Sequence, residues 1–141
     1  MEEILRQFIS DITKLQFNIH HIHFNCIGDE FFITHAQLTN DFYEDLEDRL
    51  DYLGESARKL GVPPLGNLRE VEDTTIIADI DSATLYGTQE VVDYMLMAYN
   101  QININILNMR ELSEYYMQSE LDSWYSDNMN MVWKLQQMAM V

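Results

Sequence analysis

Apolar side chains at Ile4, Leu5, Phe8, Ile9, Ile12, Leu15, Ile19 and Ile22 recur at steps of three and four. That spacing gathers them on one stripe of an α-helix and predicts a helix over residues 2–24. A second stripe runs through Phe32, Leu38, Phe42, Leu46, Leu50, Leu53, Ala57 and Leu60. Before it, "CIGDE" supplies Gly28 for a turn and Asp29 as the expected N-cap. After it, "LGVPP" supplies Gly61 for a left-handed cap, and Pro63 and Pro64 block continuation. A third stripe, from Thr88 to about residue 116, carries Val91, Val92, Met95, Leu96, Ile102, Ile106, Leu107 and Met109. Its asparagines and β-branched residues are weak helix formers, so packing must hold it. Ser119 with Asp122 reads as a capping box opening a fourth helix, which carries Met129, Val132, Trp133, Leu135 and Met138 to the end of the chain. Between Pro63 and Thr88, "GNLREVED" predicts a short helix, and "TTIIADI" suits either a brief strand or a packed loop. Four long helices with a long second-to-third connection predict an all-α four-helix bundle with one crossover, a single domain over residues 1–141.

Charge narrows the partners. Against 24 acids stand 8 bases, a net charge of −16, and the bases are scattered without a run or tail. Such a surface repels phosphate backbones and anionic lipid and favours cations, so DNA binding by this chain is not expected and metal ions or basic partners are. The acidic start "MEEILRQFIS" predicts no export signal, and no apolar run approaches the roughly 18 residues of a membrane span. The single cysteine, Cys26, cannot form an internal disulfide and reads as a small buried hydrophobe, in keeping with a cytoplasmic chain.

All four histidines fall between residues 20 and 35, in "HHIHFNCIGDEFFITH". His20 and His23 close the first helix and His35 opens the second, so imidazoles from two neighbouring helix ends could converge on one metal ion. Spacing alone fits better a plain arrangement in which His20 and His21 are exposed and His23 and His35 cap or hydrogen-bond in the core. Asp51 and Glu55, at i and i+4, share one face of the second helix, as do Glu44 and Asp48. No Glu-x-x-His occurs, so the di-iron site found inside ordinary ferritin bundles cannot be assembled.

The junction resembles that of the Dps proteins, the mini-ferritins of the ferritin-like superfamily, through His23, Phe24, Asn25, Gly28, Phe31 and His35. "DYLGESARKLGVPP" is similar to the family's Asp-and-Glu stretch before a Gly-Pro turn, "LREV" to its short middle helix, and "MVWKLQQ" to the end of its last helix. The resemblance implies a ferritin-like bundle assembled as a dodecamer that oxidises Fe(II) with peroxide or oxygen and stores the Fe(III) mineral, protecting against oxidative damage. By that resemblance His23 and His35 of one chain, with Asp51 and Glu55 of its two-fold mate, form the ferroxidase centre, and His20 is a spare or outer ligand. Departures favour an alternative, a non-catalytic Dps-shaped assembly or interaction protein with a degenerate site. Thr39 stands where the family has an aspartate ligand, Phe24 where it has a tryptophan, and no lysine-rich tail is present. Exposed aromatics near the last turn (Tyr115, Tyr116, Trp124 and Tyr125) are expected to mark an interface, and Glu120, Asp122 and Asp127 are candidates for cation entry pores. The step from His35 to Asp51 is one residue longer than the family's, which in an unbroken α-helix turns the acids by about 100°. A single π-bulge, expected within "LTNDF" at residues 38–42, would restore their facing.

Overall fold

Each of the four stripes falls in a helical stretch, but not every stripe residue is buried: Phe32, Leu107, Met129 and Trp133 are exposed, and the last helix buries Met117, Leu121 and Trp124 along with Leu135. The computed structural model describes residues 1–139, so the expected run of the last helix to residue 141 falls, at its final two positions, outside the described residues. Helix α1 spans Glu2–Phe24 and buries Leu5, Phe8, Ile12, Leu15, Ile19 and Ile22 completely. After a turn in which Gly28 takes φ 105°, the chain re-enters helix as the three-residue α2 (Phe31–Ile33), then a π-helical turn (Thr34–Thr39), then α3 (Asn40–Lys59). The residue preceding α2 is Glu30 rather than Asp29, and neither supplies a side-chain cap. Gly61 adopts φ 75° just past α3, the left-handed conformation expected of it.

The connection from α3 crosses the bundle. It contains the short helix α4 (Leu68–Thr74), capped by the Asn67 side chain, which accepts from the Glu70 amide at 2.9 Å. The "TTIIADI" segment is a packed loop. Its partners are helix side chains: the buried Asp11 carboxylate accepts from Thr75 Oγ1 at 2.6 Å and the Ile76 amide at 3.0 Å, and Asn18 Nδ2 donates to the Ala78 carbonyl at 3.1 Å. These bonds satisfy groups that burial would otherwise leave unpaired. Lys14 adds ion pairs to Glu72 and Asp79. Helix α5 spans Thr88–Arg110, shorter than expected, and α6 spans Tyr115–Ala139. The capping box at Ser119 is therefore not the start of α6. The Glu114 carbonyl already accepts from the Met117 and Gln118 amides, and the helical turn it begins buries Met117 fully. Helix α1 packs on α3 and α5, and α5 on α6, giving two antiparallel hairpins joined by the crossover, the expected four-helix bundle.

Candidate metal centre

Helix α1 ends where the π-helical turn begins, which brings His23 and His35 together. Their rings stack with centroids 3.8 Å apart at 16°, and the Phe31 ring stacks on His35 from another side at 4.7 Å. His35 Nδ1 lies 2.8 Å from the His23 carbonyl oxygen. A carbonyl only accepts, so Nδ1 carries a proton and, in the neutral ring, Nε2 is the nitrogen with the free lone pair. His23 Nδ1 lies 2.9 Å from Thr39 Oγ1, and that hydroxyl donates to the Thr34 carbonyl at 2.7 Å. With its one hydrogen committed there, Thr39 accepts from His23 Nδ1–H, and His23 Nε2 is likewise left as an unprotonated donor. A metal-binding histidine pair is held in this way, each ring oriented by a bond from its other nitrogen. Burial, and then the neighbouring His35, hold the His23 imidazole below its ordinary value, so its neutral form is favoured.

His20 is exposed and sits 6.1 Å from His23, its ring against Phe24 and Tyr43 at 4.6 Å each. His21 turns the other way and reaches the Ser82 carbonyl of the crossover at 3.1 Å. The expected bulge is present but earlier than predicted, at residues 34–39 instead of 38–42. Thr39 explains the position. Its hydroxyl fills the widened turn by bonding Thr34 five residues back as well as lying 3.1 Å from the His35 carbonyl.

Asp51 and Glu55 are exposed on α3, in the wall of a groove of about 900 Å³ that also includes Asp48, Arg58, Leu65 and Asn67. Sixteen residues of helix separate Asp51 from His35, which at about 1.5 Å per residue is more than about 20 Å. One chain thus holds the expected histidines and the expected acids apart, and among the described residues no group of three or more His, Cys, Asp or Glu that could hold a metal ion converges within it.

Other expectations sort differently. Trp124 is not an exposed aromatic. It is buried, edge-on to Phe8 at 6.3 Å and to Tyr52 at 5.3 Å, far from the histidines in the packing. Tyr115 and Tyr116 are exposed as expected. Of the three acids proposed for a pore, Asp122 is forked to Arg110, Nη2 to Oδ2 at 3.1 Å, and Glu120 accepts from Trp124 Nε1 at 3.1 Å. Sequence reasoning read Thr39 as a missing ligand and as part of the expected bulge, and did not see its bond to His23. The signal available was a hydroxyl residue in mid-helix, able to bond carbonyls of the preceding turn.

No family model matches the chain. A curated protein, the "DNA protection during starvation protein" of Helicobacter pylori strain J99, is 27% identical over 112 residues, covering 79% of this chain and 76% of that protein. Helicobacter cinaedi CAIP superposes with a TM-score of 0.89 at 20% identity over 97% of both chains. A Dps protein from Bacillus brevis does so with a TM-score of 0.86 at 19% identity over 96% of this chain and 91% of its own.

Proposed function

The chain is Dps-like in both sequence and fold, and from that premise we propose that it is a mini-ferritin that takes up Fe(II), oxidises it at a centre shared between two subunits and stores the Fe(III) product inside a shell. The observation that carries the reading is the complementarity of the two half-sets. His23 at the end of α1 and His35 at the start of the second long helical stretch present two oriented Nε2 atoms, and Asp51 and Glu55 present carboxylates on that second stretch more than about 20 Å from His35. A two-fold pairing of antiparallel copies brings each half against the other. Neutral imidazoles accept Fe(II) without prior loss of a proton, and the carboxylates favour the harder Fe(III) product. His20, beside this pair, is an outer or spare ligand. Phe17, Phe24 and Phe32, 73%, 65% and 81% exposed, add apolar surface near the histidine end of the kind that a second copy covers. A closed dodecamer is the expected assembly. The net charge of −16 and the scattered bases support a protein that does not coat DNA.

Anaerobic Fe(II) titration followed by hydrogen peroxide tests the reading through ferric absorbance and retained iron. The native chain is expected to oxidise and keep iron, and either His23→Ala/His35→Ala or Asp51→Ala/Glu55→Ala to lose at least about ten-fold of the rate. A native chain that forms a shell but neither oxidises nor retains iron would establish instead the non-catalytic assembly, which Thr39 and Phe24 favour by replacing a ligand and an electron donor of the family pattern.

A further inference from the structure

We infer that Thr39 is a positioning residue that fixes the tautomer of His23, so that the open donor of this imidazole is Nε2. The inference deepens the metal-centre reading and rests on it for its consequence, though not for its chemistry. Thr39 is fully buried, and its hydroxyl has fixed polarity. The Thr34 carbonyl, 2.7 Å away, can only accept, so the single hydroxyl hydrogen goes to it. What faces His23 Nδ1 at 2.9 Å is then a lone pair, and only an Nδ1–H tautomer can bond to it.

The wide turn makes this possible. In a regular α-helix a threonine hydroxyl reaches back only four residues, here toward the His35 carbonyl, which lies 3.1 Å away. The π-helical closure between Thr34 and Thr39 brings the carbonyl five residues back within reach and sets the hydroxyl beneath the last turn of α1. The extra residue in the helix therefore lets the Thr39 hydroxyl bond the Thr34 carbonyl and face His23 at the same time.

Solid-state NMR of the assembled protein labelled with 15N-histidine reads the tautomer directly. The native protein is expected to show His23 with a protonated Nδ1 and an unprotonated Nε2. In Thr39→Val the proton is expected to move toward Nε2, and in Thr39→Ser to stay on Nδ1. Zn(II) titration of the same assemblies is expected to give an affinity about 10- to 100-fold lower for Thr39→Val, recovered in Thr39→Ser. A protonated Nε2 on His23 in the native protein overturns the inference, and so does a Thr39→Val assembly with unchanged tautomer and Zn(II) affinity. Should Thr39→Val not assemble, the native and Thr39→Ser spectra decide the matter alone. A native chain with the Nδ1–H tautomer that takes up no metal overturns the metal-centre reading and leaves the tautomer lock standing.

Discussion

Arg49 is only 3% exposed, yet its guanidinium is served by a single ion pair, Nη2 to the half-buried Asp45 at 3.1 Å, and by the face of Trp124, 5.4 Å from Cζ. Nε and Nη1 are buried without partners. Buried charges seldom repay their desolvation unless every donor is used. Arg49→Met, which keeps the length and removes both orphan donors while Asp45 retains access to water, is expected to change stability by no more than about 1 kcal/mol in guanidinium unfolding. A loss above about 3 kcal/mol would show that Nε and Nη1 hold a partner in solution. His23 gives a second expectation at this scale. Its folded-state value is depressed, so the folded chain binds fewer protons than the unfolded one when the pH drops below 6.5. The stability it contributes is present above that pH and is lost as the pH falls through the lowered value. An NMR titration midpoint for His23 at or above 6.5 would contradict this. The histidine pair itself was legible in the sequence, because helix ends announce themselves through Gly28 and the end of the apolar stripe. The Thr39 bond was not, because it depends on a turn closed at five residues in place of four.

At the scale of the element, the long helices and the short helix of the crossover were legible from apolar spacing and turn residues, whereas the choice between strand and loop for the rest of the crossover was not. Alternation within "TTIIADI" suits a strand, but what lies beside it is α1, whose Asp11 and Asn18 bond its backbone one group at a time. The start of α6 was misplaced because a four-residue capping pattern is a weaker constraint than the burial of Met117. The π-helical turn yields a sharp contrast. Deleting the exposed Gln37 removes the extra residue, and Phe42, Leu46 and Leu53 keep their facing in a now regular helix. Deleting the equally exposed Asn100 from α5 turns Ile102, Ile106 and Met109 by about 100° with no wide turn to take it up. The first variant is expected to retain native helicity and cooperative melting by circular dichroism, and the second to lose cooperative melting. Equal behaviour of the two would mean that the wide turn is not an inserted residue.

At the scale of the whole molecule, the acidic half of the proposed centre was visible in the sequence as a spaced pair, and only the family resemblance assigned it to a two-fold mate. The separation of His35 from Asp51 along the π-helical turn and α3 keeps the two apart within one chain, and under the proposed shared centre it makes the ligand halves genetically separable. A chain lacking His23 and His35 still offers its acids, and a chain lacking Asp51 and Glu55 still offers its imidazoles. When two such inactive chains pair, one of the two centres inherits both defects and the other inherits none. Co-assembled at random in equal amounts, half of the pairs are mixed and about a quarter of all centres are whole, as two-fold symmetry requires. Two dead alleles are therefore expected to complement each other to about a quarter of native Fe(II) oxidation, whereas merging both defects in one chain and mixing it with either parent restores nothing.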